Sequence, residues 1–140
     1  MKKQKNKVSI QGFKGCFHHE AADIYFNEKV IVDECLTFPD VIHNVYQKIS
    51  DFGVIAMENT IAGNIFDNYH QIFKYSLFII GEIILKINQN LIAINGAKLN
   101  NIREIFSHPV ALKQCEQFFK KHPEIKIFES EDTALSVKEI

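Results

Sequence analysis

The sequence predicts an α/β protein, and three observations carry the prediction. Runs rich in β-forming residues alternate along the chain with stretches of helical period, as in proteins built from strand–helix–strand units. The run 52–57 is almost wholly apolar, which is typical of a strand covered on both faces of a parallel sheet. Hydrophobic residues make up 46% of the 140, enough to form a core in one domain or in two small lobes.

The first half of the chain contains strands and helices in alternation. In chain order they are a strand over 8–10, a turn over 12–15, a helix over 17–26, a strand over 30–36, a helix after the capping segment 37–40, the strand 52–57 and a helix over 65–75. The side chains expected to face the core are, in the first helix, Phe17, Ala21, Ile24 and Tyr25, and in the second, Val41, Ile42, Val45, Tyr46 and Ile49.

Residues 77–95 have a different pattern. Two apolar runs, 77–87 and 91–94, flank the polar segment 88–90 and predict an extended stretch long enough to pass from one lobe to another. After it come a strand, a helix, a strand and the start of a further helix, predicted over 102–107, 109–121, 125–129 and 132–140. Ser107 is the expected N-cap of the helix that begins at Pro109.

Charge and cysteine content argue against several classes of protein. A net charge of −1 gives no electrostatic basis for binding nucleic acid. The three cysteines, Cys16, Cys35 and Cys115, lie far apart, so neither a disulfide framework nor a zinc site is expected. No apolar segment follows the basic run 1–7, and none is long enough to cross a bilayer. We therefore expect a solvated N-terminus and a cytoplasmic protein without membrane contact.

Three polar loops, 12–18, 58–63 and 107–114, follow predicted strands. Each has a structural explanation of its own, because a glycine pair suits a tight turn and the other two loops can cap the helices after them. However, ligands of open α/β sheets bind at the carboxyl ends of strands, and helix N-termini bind anions. The coincidence of three such loops indicates a binding site for a small anion.

Four segments together resemble the motifs of prephenate dehydratases. Segment 12–22 (GFKGCFHHEAA) resembles the first glycine-rich motif of that family, and 53–63 (GVIAMENTIAG) resembles its Glu-Asn-Ser/Thr motif. Segment 107–115 (SHPVALKQC) is similar to its Ser-His-Pro-Gln-Ala-Leu-x-Gln-Cys signature, and 132–134 (DTA) to its Thr-Ala segment. The resemblance runs from residue 8 to the last residue, with the motifs in the order and spacing of the family.

The resemblance implies a two-lobed fold like that of type II periplasmic binding proteins, with lobes over 1–76 and 77–140 and the active site in the cleft between them. It implies the decarboxylating dehydration of prephenate to phenylpyruvate in L-phenylalanine biosynthesis, without cofactor or metal. Prephenate carries two carboxylates and a hydroxyl that leaves as water. Such an enzyme needs groups that hold anions and a hydrogen-bond donor or acid, rather than a covalent nucleophile.

The same resemblance implies roles for individual residues. As catalytic contacts to prephenate it implies Asn59, Ser107 and Gln114. As further substrate-binding residues it implies Gly15, Cys16, Phe17, Glu58, Thr60, His108 and Thr133. Glu131 matches an acidic position that bears on activity or regulation in the family.

The sequence also departs from the family pattern. Cys16 stands where Thr or Ser is usual, and a thiol is a weaker hydrogen-bond donor than a hydroxyl. The family's Thr-Arg-Phe motif, whose hydroxyl is thought to act on the leaving group, does not occur in the 140 residues, and Arg103 is the only arginine. We therefore expect a second lobe without the segment that returns to the first, and impaired activity for this chain by itself.

Two other interpretations stay open. The chain could be a binding module of the same fold that holds a small carboxylate without converting it. It could also complete an open sheet edge by pairing with another copy of itself, which would make it a homo-oligomer.

Overall fold

The computed structural model describes residues 5–60 and 63–140. The chain divides into two compact units, Met1–Lys86 and Ile87–Ile140. The first four residues of the basic run 1–7 lie outside the described residues, as do residues 61–62 of the predicted loop 58–63. The assignment of lobes to 1–76 and 77–140 stays a prediction.

A three-stranded parallel sheet is the centre of the first unit. Its middle strand pairs through Val8 with Val32 on one side and with Phe52 on the other. The elements are β1 (Lys7–Gln11), α1 (Phe17–Phe26), β2 (Ile31–Cys35), α2 (Phe38–Tyr46) and β3 (Phe52–Val54). The predicted α/β class with a parallel sheet is confirmed, and the first helix has the predicted bounds.

The core of this unit forms where α1 packs on β1. Val8, Ile10 and Ala22 have no exposed surface. The predicted core face of α1 was wrong in part, because Ile24 and Tyr25 are 51% and 38% exposed. The helix packs on the sheet through Ala22 and Phe26, which lie four residues apart on one face, so Ile24 and Tyr25 lie on other faces.

Helix α2 begins at a capping box in which the Thr37 side chain accepts from Asp40 N–H and the Asp40 carboxylate accepts from Thr37 N–H. Val41 and Ile42 are buried, as predicted. Tyr46 and Ile49 are about half exposed, which corrects the predicted stripe. The helix ends at Tyr46, so Ile49 lies beyond it and cannot continue its apolar face.

A polar network around Asp33 ties the strands to α2. Oδ2 of Asp33 accepts from Ser9 Oγ at 2.8 Å, Asn44 Nδ2 at 2.9 Å and Ser50 Oγ at 3.1 Å. Oδ1 lies 3.2 Å from Lys7 Nζ. Ser9 and Ser50 are almost completely buried, so this carboxylate compensates the hydroxyls that the sheet and α2 cover.

The strand predicted over 52–57 pairs only as far as Val54. The chain then leaves this sheet and forms two short antiparallel strands and a helix. These elements are β4 (Glu58–Asn59), β5 (Gly63–Asn64) and α3 (Phe66–Lys74). From Leu77 to Ala93 the main chain runs without a turn or bend, in agreement with the predicted extended stretch.

The second unit contains a two-stranded parallel sheet in which Ser107 pairs with Glu129. Ala111, Leu112 and Ile125 form its buried apolar centre. The helix predicted over 109–121 is interrupted at Cys115. The elements are a 3₁₀ turn (Leu99–Asn101), β6 (Glu104–Ser107), α4 (Pro109–Gln114), α5 (Glu116–Lys121), β7 (Lys126–Glu129) and α6 (Thr133–Glu139). In the described part of the chain, no helix is long and apolar enough to span a membrane.

We predict that Asp33→Asn lowers the free energy of unfolding by about 2–3 kcal/mol, because the hydrogen bonds to the carboxylate lose their charge and the new amide opposes the amide of Asn44. Denaturant unfolding followed by circular dichroism measures the loss. The control is Asp67→Asn, an exposed carboxyl in the first turn of α3, with an expected change of about 0.5 kcal/mol. Equal losses in the two variants would contradict the role of the network.

The same network predicts a pH dependence of stability. Burial raises the pKa of Asp33, but hydrogen bonds from Ser9, Lys7, Asn44 and Ser50 outweigh burial and lower this pKa overall. A carboxyl with a lower pKa in the folded chain contributes stability that is present above its ordinary value of 3.8 and is lost as the pH falls through the folded pKa. Below about pH 4 the wild type should therefore lose more stability than Asp33→Asn. Parallel pH profiles of the two proteins would refute this expectation.

Candidate functional site

The glycine turn after β1 is held by side chains from two neighbouring elements. Gly12 and Gly15 both have φ of 97°, a left-handed conformation that favours glycine. Lys14 N–H donates to Glu34 Oε1 at 2.7 Å, and Gly15 N–H donates to His19 Nδ1 at 3.0 Å. Two amides of the turn are therefore oriented but already engaged, so a carboxylate ligand would compete with the carboxylate of Glu34.

Cys16 and Phe17 begin α1 directly after this turn. Cys16 is the N-cap residue but makes no side-chain cap hydrogen bond, because its Sγ donates instead to the carbonyl of Gln11 at 3.6 Å. Cys16, His19 and Asp23 border one shallow groove. They do not form a nucleophilic triad there, since Nδ1 of His19 accepts from Gly15 N–H and its Nε2 faces the Asp23 carboxylate at 3.8 Å.

The described residues of the predicted polar loop 58–63 include parts of two short antiparallel strands, which corrects the loop assignment. Glu58 pairs with Asn64, and Asn59 pairs with Gly63. Asn59 is half-buried, whereas Glu58 and Thr60 are exposed. The alternative that this segment caps the next helix was also wrong, because the N-cap of α3 is Ile65.

A positioning residue that the sequence analysis missed is Asn68. It is 3% exposed, and its Nδ2 donates to the carbonyl of Ala56 at 2.7 Å. This bond fixes the chain between β3 and the hairpin that carries Asn59. The available signal was its position four residues before Ile72, which places a polar side chain on the apolar face of α3.

In the second unit, Ser107 is the last residue of β6 and its carbonyl accepts from Ser130 N–H at 3.0 Å. Ser107 is not the helix cap, which corrects the prediction. The cap is His108, whose Nδ1 accepts from Val110 N–H at 3.2 Å. Among the described residues the Ser107 hydroxyl makes no hydrogen bond, so it is available to a ligand.

Gln114 is the last residue of α4, and its Oε1 accepts from Gln89 Nε2 at 2.7 Å. This contact orients the amide and was not predicted from the sequence. Cys115 follows in the break between α4 and α5. Burial raises the pKa of the Cys115 thiol, which keeps it in the uncharged, weakly nucleophilic form.

Thr133 is the first residue of α6, close in sequence to the end of β7. Asp132 caps this helix, since its Oδ1 accepts from Leu135 N–H at 2.8 Å. Ser130 Oγ lies 2.6 Å from Ser136 Oγ, which ties the loop to the helix. Glu131 is exposed and Thr133 is half-buried.

The predicted site residues form two groups. In the first unit, the glycine turn with Cys16 and Phe17 and the hairpin with Glu58, Asn59 and Thr60 follow β1 and β3, whose carboxyl ends share one edge of the sheet because the strands are parallel. In the second unit, Ser107 is the last residue of β6, and Thr133 follows the end of the neighbouring strand β7. His108 is the cap of α4, and Gln114 is its last residue. Among the described residues, no group of three or more His, Cys, Asp or Glu side chains is placed to hold a metal ion.

The comparisons with known proteins agree on one family. A sequence model described as prephenate dehydratase matches residues 8–140. The bifunctional chorismate mutase/prephenate dehydratase of Buchnera aphidicola subsp. Acyrthosiphon pisum is 42% identical over 135 residues, which cover 94% of this chain and 35% of that protein. The Escherichia coli K12 protein of the same description is 31% identical over 137 residues, covering 96% and 36%. The chain thus spans about a third of the length of these relatives.

Two solved structures are also similar. GqqA, described as a novel type of quorum quenching acylase, has a TM-score of 0.76 and 26% identity, covering 91% of this chain and 46% of that one. Prephenate dehydratase from Arthrobacter aurescens in complex with L-Phe has a TM-score of 0.64 and 20% identity, covering 94% and 44%. At that identity the second likeness concerns the fold alone.

Two parallel sheets with helices between their strands define an α/β protein. Within that class, the family match over residues 8–140 and the curated relatives place the chain in the prephenate dehydratase family. The recognition made from the four sequence motifs is confirmed.

The corrected helix cap can be tested by stability. His108→Ala should lower the free energy of unfolding by about 1 kcal/mol, because Val110 N–H loses its acceptor. Ser107→Ala removes a hydroxyl that makes no hydrogen bond to the described residues, and should change the free energy of unfolding by less than about 0.5 kcal/mol. Denaturant titrations of the two variants measure both values, and a larger loss for Ser107→Ala would return the cap to Ser107.

Proposed function

We propose that this chain binds prephenate and contributes to its conversion to phenylpyruvate. The observation that carries the proposal is Ser107, a half-buried residue at the end of β6 whose hydroxyl has no hydrogen bond among the described residues and stands in the family signature. Asn59 and Gln114 supply amides, and each lies in an element whose position other residues hold. The type II periplasmic-binding-protein-like arrangement of two lobes and a cytoplasmic location belong to the same proposal.

The chemistry suits groups of this kind. The dianion of prephenate takes up one proton, its hydroxyl leaves as water, and its ring carboxylate leaves as carbon dioxide, whose former bonding pair completes the aromatic ring of phenylpyruvate. Neutral donors that hold carboxylates and a donor near the departing hydroxyl stabilise charge that develops in this step. A covalent nucleophile is not required, which accords with the raised pKa of Cys115.

The residues proposed to contact prephenate form two groups, one in each unit. Gly15, Cys16, Phe17, Glu58 and Thr60 would line the substrate in the first unit, together with Asn59. In the second unit, His108 and Thr133 would do so beside Ser107 and Gln114. Glu131 would influence activity or regulation from its exposed position.

A second candidate is binding without conversion. The sequence observation that favours it is that the 140 residues contain no Thr-Arg-Phe motif, the family's source of the group that acts on the leaving hydroxyl. In this case the same residues would hold prephenate or a related small carboxylate.

One experiment separates the two functions. Prephenate is titrated into the purified chain by calorimetry, and phenylpyruvate formation is assayed for this chain and for a chimera that joins it to the rest of the dehydratase domain of the Buchnera relative. Binding by the chain and turnover by the chimera would support the dehydratase. Binding by the chain without turnover by either protein would support the binding module. If the chain does not bind prephenate and the chimera does not convert it, both functions are contradicted.

Substitutions test the site assignment. Ser107→Ala and Asn59→Ala should each lower kcat/KM of the chimera for prephenate about 10- to 100-fold, because each removes a donor that stabilises developing charge. Asn101→Ala is the control, since Asn101 is an exposed amide in the 3₁₀ turn. Circular dichroism spectra of all variants should match the wild type, and wild-type rates for both site variants would contradict the assignment.

A further inference from the structure

His19, the third residue of α1, contacts the glycine turn through one ring nitrogen. Gly15 N–H donates to Nδ1 of His19 at 3.0 Å, and Gly15 itself has φ of 97°. Because Nδ1 is the acceptor, the ring must be neutral and must carry its hydrogen on Nε2. The contact with the turn therefore exists in only one protonation state of the ring.

The second ring nitrogen faces a carboxylate that is itself held in place. Nε2 lies 3.8 Å from Oδ2 of Asp23, one turn further along α1. Val30 N–H, just before β2, donates to Oδ1 of the same carboxylate at 3.2 Å. A carboxylate beside Nε2 favours the tautomer with its hydrogen there, which leaves Nδ1 free to accept. The ring is thus oriented towards the turn from both sides.

This contact supplies a link that the cap of α1 does not supply. Cys16 is the N-cap residue, and its side chain makes no cap hydrogen bond. The other oriented amide of the turn, Lys14 N–H, donates to Glu34 on β2. His19 therefore ties the turn to the first turn of the helix, whereas Glu34 ties it to the sheet.

We propose that His19 is a positioning residue whose neutral ring holds Gly15 and Cys16 in the conformation that binds substrate, and that protonation of Nδ1 releases the turn. The inference rests on the proposed function, in which both residues contact prephenate. A hydrogen on Nδ1 points at the hydrogen of Gly15 N–H, so that the attraction becomes a repulsion. Histidine side chains change charge between about pH 5 and about pH 8, and the turn should loosen within that range.

The surroundings of the ring define the competing effect. Cys16, Glu20 and Asp23 are the titratable side chains that border a groove with His19, and the His19 side chain is 25% exposed, so water reaches it. Sγ of Cys16 donates to a backbone carbonyl at 3.6 Å. A charged ring beside the turn would attract an anion, whereas a released turn would bind it less well. The sign of the pH effect on binding therefore separates positioning from direct attraction.

Amide NMR of the purified chain tests the contact without substrate. As the ring C–H signals of His19 titrate, protection of Gly15 N–H against hydrogen exchange should fall about three- to tenfold after correction for the intrinsic rate, because one hydrogen bond is lost. His19→Asn keeps an acceptor oxygen near the position of Nδ1 and does not titrate, so Gly15 should stay protected at every pH. His19→Leu has no acceptor, and Gly15 should exchange freely throughout. Equal protection in the wild type and His19→Leu, or the same fall with pH in His19→Asn, would overturn the proposal.

Prephenate binding tests the consequence for the site. In His19→Leu, the Kd of the chain and the KM of the chimera should rise about three- to tenfold with kcat nearly unchanged, because the turn holds substrate and transition state alike. His19→Asn should behave like the wild type, as should the control His43→Asn at an exposed histidine of α2. The wild type should bind less tightly at about pH 6 than at about pH 8, and His19→Asn should not. Tighter binding by the wild type at the lower pH would show direct attraction and refute positioning.

The two measurements distinguish a failure of this inference from a failure of the proposed function. If the chain does not bind prephenate and the chimera does not convert it, the proposed function is contradicted, and the protection of Gly15 still decides whether His19 holds the turn. If prephenate is bound equally by the wild type and His19→Leu, the proposed function stands and the positioning role is overturned.

Discussion

The Asp33 carboxylate is the interaction on which the first unit depends. One of its oxygens accepts from Ser9 on β1, Asn44 on α2 and Ser50 before β3, and the other lies beside Lys7. Removing a carboxylate from water is costly unless several donors replace the water, and here four groups do so. Because these donors come from every element that flanks β2, they can converge on the carboxylate in only one register of the sheet. The network therefore fixes the register of the sheet.

The strand that carries Asp33 also holds the glycine turn. Successive residues of a strand point to opposite faces, so Glu34 points away from the Asp33 network, and its carboxylate accepts from Lys14 N–H in the turn. The core and the turn are thus coupled through two adjacent residues of β2. An error in the register of β2 would disturb the buried network and the candidate site together. This coupling orients the N–H of Lys14, although Lys14 itself is exposed.

Features determined by neighbouring residues could be predicted from the sequence. Helix α1 has the predicted bounds, and the cap of α2, Thr37, lies in the predicted capping segment 37–40. The Ser107 cap was wrong for a local reason, because Pro109 occupies the first helical position and the residue before it, His108, becomes the cap. By contrast, the β4–β5 hairpin has two-residue strands without detectable periodicity. The motifs located the candidate site residues. The contacts that hold the neighbouring chain in place, Asn68 with Ala56 and Gln89 with Gln114, join residues distant in sequence, and a local sequence pattern does not reveal such pairs.

The single arginine of the sequence bears on the chemistry of the proposed dicarboxylate site. Arg103 is the only arginine of the sequence, and its guanidinium donates to the carbonyls of Asn100 and Ile102, so it stabilises the turn before β6. The bidentate arginine fork that proteins commonly use for carboxylates is therefore committed to structure here. The residues proposed to contact the substrate are instead neutral donors, namely the Ser107 hydroxyl and the side-chain amides of Asn59 and Gln114. Neutral donors act more strongly where they are pre-oriented, and the Gln89 contact orients the amide of Gln114 in this way.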